Sequence, residues 1–521
     1  MKRRLDGLLV YLAFSILWSW PLILDPFSSV VSLHFDQLPA AWLVHAAPSF
    51  RDGISELSAW PAGEPLVRLD SFLFLILAML LQGLVPGLFL TNLFVLLGPV
   101  CSAWAAEKLA REGLKVEGPA ALLAGLAFGF APLATVAVLE GHVYYLLNPW
   151  LPLCVLHLLR NTPRDDAWAG LHWLLCLLTT AYMGVNATLL GGVLVFYRFF
   201  KIEKRIPWYF LGICGVSGLL YAALFVAGGG QHSREEGDAL VRLGSASLAT
   251  LVAWNPWMDL NRHSLAPAVG VAPLALALLS PAIRLPGWKL WLGLGLGCLV
   301  LAVGPVLELG VARMEAWPTL LYPLLKAGLF DTYRFPIRFA WVSSLCLGLL
   351  AARLVARSRW PGLFVALVAI DCLFLSGAFL RMRAHPLPIP SLYQLLPAGA
   401  VLELYPEVGG TQEDMAFYQQ NLSCYYQVGH GHPILERCLN TDMAQSPRLA
   451  AGRELQHRLL DSEGSVRDAL NALQVKSVMV HLDLFQSHER GDIVSGLNNA
   501  LGPPLGESRD GGEWLMAWEL R

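Results

Sequence analysis

Asp36 is the residue best placed for chemistry in this 521-residue chain. It lies in His34-Phe35-Asp36-Gln37, just beyond the first apolar run, with Trp42 and His45 close behind. A carboxylate partly withdrawn from water has a raised pKa and can accept a proton from a hydroxyl or amine. The alternative is an ordinary solvated loop aspartate. Glu140-Gly-His142-Val-Tyr-Tyr145 forms a short turn between apolar runs, followed by Asn148-Pro-Trp-Leu-Pro152. It reads either as cavity lining or as a plain turn. Asp331-Thr-Tyr-Arg334-Phe-Pro-Ile-Arg338 sets two arginines four positions apart, around Pro336. Guanidinium forks suit phosphate or pyrophosphate; contact with lipid headgroups is the other reading. Asp371 stands inside the last apolar run, where a carboxylate is either functional or a hydrogen-bonded packing residue. Trp254-Asn-Pro-Trp257, with Asp259, Arg262 and His263, reads as an interfacial anchor or a substrate platform. His430-Gly-His432 has too few neighbouring ligands for a metal site. Walker A, G-x-S-x-G, H-E-x-x-H and dinucleotide motifs are all absent, which argues against ATP-driven transport and soluble-type hydrolysis.

The elements carrying these residues follow from composition. Hydrophobic residues make up 55% of the chain and charged residues only 15%, against about 25% in soluble domains. That excludes a soluble enzyme, a disordered chain and a basic nucleic-acid binder. A bilayer-crossing helix needs about 20 apolar residues. Apolar runs fall near 8–24, 71–86, 88–106, 119–138, 144–160, 167–181, 183–200, 207–227, 266–281, 289–304, 339–357 and 361–380. Lys2, Arg3 and Arg4 precede the first run, and no small-residue cleavage site follows it, so it reads as an uncleaved span with a cytoplasmic N-terminus. If all twelve runs cross, most basic loops land outside. If 71–86 does not cross, the basic clusters at 108–115, 160–164, 198–205, 284–289 and 353–359 all face the cytoplasm. The positive-inside rule prefers this solution: about eleven spans, with 71–86 at the outer interface or re-entrant. Loops 25–87, 228–265 and 305–338 then lie outside, together with the tail.

The tail, 381–521, holds 28 of the 76 charged residues, with acidic ones in excess. Val401–Tyr405 and Val475–Leu482 read as buried strands, Gly464–Leu473 and Ile493–Leu501 as helices, and Trp514–Leu520 as a last strand. This is a small α/β domain, set off by the proline-rich linker 384–397. Seven of the nine cysteines lie in apolar runs and read as packing residues; Cys424 and Cys438 are either a disulfide pair or two free thiols. The fold expected is mainly α: a polytopic membrane bundle over 1–380, including outer loop 25–87, and an α/β domain over 381–521.

The early outer Asp and the interfacial helix before the second span resemble the GT-C superfamily of membrane glycosyltransferases. Trp60-Pro-Ala-Gly-Glu64, Leu139-Glu-Gly-His142 with Pro149-Trp-Leu-Pro152, Val303-Gly-Pro305, Tyr333-Arg-Phe-Pro-Ile-Arg-Phe339 and Leu473–His481 look closest to a bacterial branch with an outer C-terminal domain. The resemblance covers nearly the whole chain, and the order of the motifs carries it more than any single one. It implies an inner-membrane hexosyl- or pentosyltransferase of the cell envelope. The donor would be a polyprenyl-phosphate-linked sugar, and the acceptor a lipid, glycan or protein on the extracytoplasmic face. Asp36 would be the catalytic base. His34, Gln37, Glu140, His142, Tyr145, Arg334 and Arg338 are the substrate-binding candidates, the arginines for the leaving phosphate on chemical grounds. Many members have a second acid where this chain has Gln37, which keeps a non-catalytic member of the fold in play. A flippase of a lipid-linked saccharide is the other alternative. No cofactor is certain; members differ in metal dependence, and Asp36 alone makes a poor divalent-metal site.

Overall fold

The computed structural model describes residues 2–31, 37–49, 54–55, 57, 64–65, 71–81, 83–139, 141–201, 205–227, 269–285, 287–304, 306–307, 317–318, 336–375, 382, 384–404, 413–434, 458, 466–509 and 514–520. The chain is mainly helical and divides into two compact units: Met1–Leu24, Asp70–Phe74 and Asn92–Arg383 form one, Asp25–Leu69, Leu75–Thr91 and Ala384–Arg521 the other.

The first unit contains most of the apolar helices. Among the described residues, Gly87–Gly113, Ala120–Leu139, Ala181–Lys201 and Pro336–Val355 are long and apolar enough to cross a membrane. Gly7–Trp18, Phe72–Leu81, Trp208–Ala223, Trp288–Val303 and Pro361–Phe374 are shorter apolar helices. Such a set marks an integral membrane protein. The ten residues of Phe72–Leu81 rise only about 15 Å, half of a hydrocarbon core.

Two apolar runs are broken by their own sequence. Residues 119–138 form Ala120–Gly129 and Pro132–Leu139, interrupted at Phe130-Ala131. Residues 144–160 form a 3-10 turn, Val143–Leu146, and a helix, Trp150–Arg160, separated around Asn148-Pro149. Proline has no N–H to continue a helical ladder, so each break falls where Pro132 or Pro149 requires it.

The core centres on Ala340–Val355, buried at every position but Arg353. It packs against Trp288–Val303 and Ala120–Gly129, with Trp341 edge-on to Phe128 at 5.9 Å. Polar groups within the body are used locally: Trp18 Nε1 donates to Thr135 Oγ1 at 3.2 Å and Tyr11 OH to the Leu122 carbonyl at 3.3 Å. In lipid, such hydrogen bonds and close packing hold helices together, because apolar tails give no hydrophobic drive. At one end of the body the buried Asp166 pairs with Arg205 and lies 3.9 Å from Arg198.

The second unit holds a mixed four-stranded sheet. Its order is Ala400–Leu404, Val475–His481, Leu515–Glu519, Gly506–Ser508; the first pair is parallel and the others antiparallel. Leu402, Val478, Val480 and Trp518 meet Leu470, Ile493 and Leu497 from Val466–Ala472 and Ser487–Leu501 in one apolar core. The latter helix starts six residues before Ile493. A capping box between Gln486 and Glu489 begins it in a polar stretch without apolar periodicity. Two further elements carry no apolar signature: Gly506–Ser508 and helix Glu413–His430. The first outer loop belongs to this unit: Gln37–Ala46 packs on Glu413–His430, and Ser29–Val30 pairs antiparallel with His385–Pro386. Cys424 is disulfide-bonded; Cys438 lies outside the described residues.

Candidate functional site

Three short segments of the first unit converge on Arg338. The first is the turn His142–Leu146. Ser102 Oγ donates to the Leu146 carbonyl at 2.7 Å and accepts from the Asn148 N–H at 2.9 Å, tying the turn to helix Gly87–Lys108. The helix approaches so closely that a Cβ on Gly98 would lie 2.9 Å from the Leu146 carbonyl carbon. The second is the opening of Ala181–Lys201, where Thr180 Oγ1 accepts from the Met183 N–H at 3.2 Å. Tyr182 lies in this first turn, and Asn148 Nδ2 reaches Met183 Sδ at 3.2 Å. The third is the 3-10 turn Pro336–Phe339, begun by a proline whose fixed φ suits it. Asn186, one helical turn beyond Tyr182, donates through Nδ2 to the Arg338 carbonyl at 2.9 Å.

The Arg338 side chain is only 7% exposed. Its Cζ lies 3.9 Å from the Tyr182 ring centre and 4.4 Å from that of Tyr145. The two ring centres are 6.4 Å apart, at 53° between planes. That is shorter than the two distances laid end to end, so the guanidinium occupies a notch between tilted rings, not a parallel sandwich. His142 closes the notch: its Nε2 is 3.5 Å from Arg338 Nη2, and its ring meets Tyr145 edge-on at 5.6 Å. Ring faces attract the cation electrostatically and exclude water from it. A guanidinium held this way keeps a fixed fork, the geometry that recognises carboxylate or phosphate oxygens in pairs.

Of the residues singled out in the sequence, the structure brings His142, Tyr145 and Arg338 together. Gln37 belongs to the second unit, where it is buried at the start of Gln37–Ala46. Asp36, His34, Glu140 and Arg334 lie outside the described residues, as do Trp254, Asp259, Arg262 and His263. Tyr182 and Asn186 are contributors the sequence reading missed; they sit at the head of an apolar run with no motif around them.

Asp371 has a partner that explains it. Its Oδ2 accepts from the Ala272 N–H at 2.8 Å, satisfying a first-turn donor of helix Val271–Leu278 from a different helix. Gly270 ahead of that helix has φ +93°, and a Cβ there would sit 2.8 Å from the same oxygen. His430 and His432 are tied to each other and to backbone, with the His432 N–H donating to His430 Nδ1 at 3.1 Å and His432 Nε2 3.3 Å from the Leu396 carbonyl oxygen. Among the described residues no group of three or more His, Cys, Asp or Glu is placed to hold a metal ion.

No protein-family model and no curated protein matches the chain. Solved structures match it in fold. The arabinofuranosyltransferase AftD from Mycobacteria superposes with a TM-score of 0.53 at 15% identity, over 100% of this chain and 40% of AftD. The oligosaccharyltransferase AglB from Archaeoglobus fulgidus, solved with an inhibitory peptide and a dolichol-phosphate, gives 0.47 at 12% identity, over 95% and 71%. ArnT from Cupriavidus metallidurans, bound to undecaprenyl phosphate, gives 0.47 at 11%, over 98% and 97%. The chain is thus similar in fold, over its whole length, to the arabinofuranosyltransferase AftD. It spans 40% of the length of AftD.

Proposed function

We propose that this protein is a membrane glycosyltransferase acting at the extracytoplasmic face. It would move a sugar from a polyprenyl-phosphate-linked donor to a lipid, glycan or protein acceptor. The observation that carries the reading is the buried Arg338 guanidinium, held by Tyr145, Tyr182 and His142 within a fold like that of a known sugar transferase.

The reaction needs a base for the acceptor and a cation for the leaving group. Asp36 takes the proton of the acceptor hydroxyl or amine as its oxygen or nitrogen attacks the anomeric carbon. The bond from that carbon to the donor phosphate oxygen breaks, and its electron pair leaves with the polyprenyl phosphate. The anomeric configuration inverts. Arg338, with Arg334, offsets the charge growing on the departing oxygen, an interaction stronger in the transition state than in the bound donor. His34, Gln37 and Glu140 are acceptor- or sugar-contacting candidates. A donor with a long apolar tail reaches such a site sideways from the bilayer, which accounts for so many apolar helices around so few polar groups.

A flippase would need polar groups along a path through the spans. Asp371, the carboxylate that best fits such a path, is engaged by a first-turn donor of a helix, which favours the transferase. The test is mass spectrometry of membrane glycolipids and envelope glycans with and without the gene. Loss of one glycosylated species, with its unglycosylated acceptor accumulating, supports the proposal; identical profiles would sink it.

A further inference from the structure

We propose that Tyr182 is a positioning residue for the donor phosphate: with Tyr145 it fixes the plane of Arg338, so that one guanidinium edge meets two oxygens of a single phosphate. This rests on the transferase reading above and adds a determinant to it.

A free arginine side chain samples many rotamers, and pairing it with phosphate orders them at an entropic penalty. Here the ordering precedes the ligand. Tyr182 approaches the guanidinium more closely than Tyr145 does, 3.9 Å against 4.4 Å from Cζ. It belongs to the same helix as Asn186, which fixes the Arg338 backbone carbonyl from one turn further along. One helix start therefore holds both ends of the arginine: Asn186 the main chain, Tyr182 the head group. His142 Nε2, at 3.5 Å from Nη2, engages one nitrogen and limits rotation of the fork about its own axis. What Tyr182 contributes is its ring face. Lysine, a point charge on a flexible stem, cannot be oriented this way.

The experiment uses the full-length protein in detergent or nanodiscs and measures affinity for undecaprenyl phosphate, with undecaprenol as the uncharged control. Tyr182→Leu is expected to weaken undecaprenyl phosphate binding about tenfold. Tyr182→Phe, which keeps the ring, stays within about twofold of wild type. Arg338→Lys loses nearly as much as Arg338→Ala, because the flat fork is gone. Undecaprenol binding is unchanged throughout. If Tyr182→Leu does not accumulate as folded protein, Tyr182→Met carries the same expectation. The inference is overturned if the ring-less variant binds undecaprenyl phosphate like wild type. It is equally overturned if undecaprenol binding falls in parallel, the mark of a general packing role. Should Arg338→Ala itself bind undecaprenyl phosphate like wild type, the phosphate role of Arg338 falls and takes this inference with it. Loss in Arg338→Ala without loss in Tyr182→Leu removes only the inference.

Discussion

The indole N–H of Trp42 donates to the side-chain oxygen of Gln427, 385 positions later in the chain, and both residues are buried. The Gln427 amide in turn donates to the carbonyls of Leu57 and His432, the latter at 2.8 Å. One amide thus ties helix Gln37–Ala46, Leu57 and the end of helix Glu413–His430 together.

Gln427→Leu removes an acceptor and two donors from a buried place and leaves Trp42 Nε1 without this partner. Unsatisfied buried groups cost about 1–3 kcal/mol each. Hydrogen exchange at residues 37–46 and 54–57 should therefore quicken while the strand Val475–His481 keeps its protection. Unchanged exchange in both segments would mean that the amide does not hold the loop.

Asp371→Ala should destabilise the protein by about 1 kcal/mol, the usual loss when a first-turn helix donor loses its side-chain acceptor, and Asp371→Asn should recover most of it because the amide oxygen still accepts. Specific activity per folded molecule stays near wild type in both. Thermal melts paired with activity check this. A folded Asp371→Asn protein with abolished activity would restore a functional role for this carboxylate and, with it, the flippase alternative.

Burial among Tyr393, His432 and neighbouring groups pushes the His430 pKa down to about 4; Glu403 opposes the shift, while His432 and His45 add to it. The unfolded chain then binds a proton below pH about 6.5 that the folded domain refuses until about 4. Stability is fully present above the unfolded value and falls as the pH drops through that window. Denaturant melts of the full-length protein followed by its near-ultraviolet signal at pH 7 and pH 5 should show the loss, and His430→Gln should flatten it. A wild-type midpoint equal at both pH values contradicts the assignment.

Gly98→Val would drive a branched side chain into the Leu146 backbone, 2.9 Å from where its Cβ must go. Overpacking of this kind costs about 1–3 kcal/mol, here by moving the turn that carries His142 and Tyr145. The expected kinetic mark is a raised KM for the donor with little change for the acceptor. Equal effects on both substrates would show that the turn does not serve the phosphate.

The parts of this molecule that were legible in the sequence are those where one physical demand dominates. Apolar runs long enough for lipid gave most helices of the body, and the strands Ala400–Leu404 and Val475–His481 announced themselves as short apolar stretches bounded by turns. Helix Glu413–His430 did not, because Ser423 and Gln427 are buried by hydrogen-bonding rather than by being apolar. Arg338 stands out by its spacing from Arg334, and His142 and Tyr145 by their place in a short turn; the structure sets these three side by side. Tyr182 and Asn186 do not stand out, since an aromatic and an amide at the head of an apolar helix look like interfacial residues until the fold brings Arg338 against them. Asp371 was legible as unusual but not as the acceptor for a helix start; its partner Ala272 lies 99 positions earlier.

The central claim is that Asp36 removes the acceptor's proton in a sugar transfer from a phosphate-linked donor. Complementation of a gene deletion tests it most directly, with the glycosylated envelope species quantified by mass spectrometry at matched membrane abundance of each protein. Wild type should restore the species fully and Asp36→Asn should restore none, with the acceptor still accumulating. Restoration by Asp36→Asn at near wild-type level would remove Asp36 from the mechanism and contradict the account.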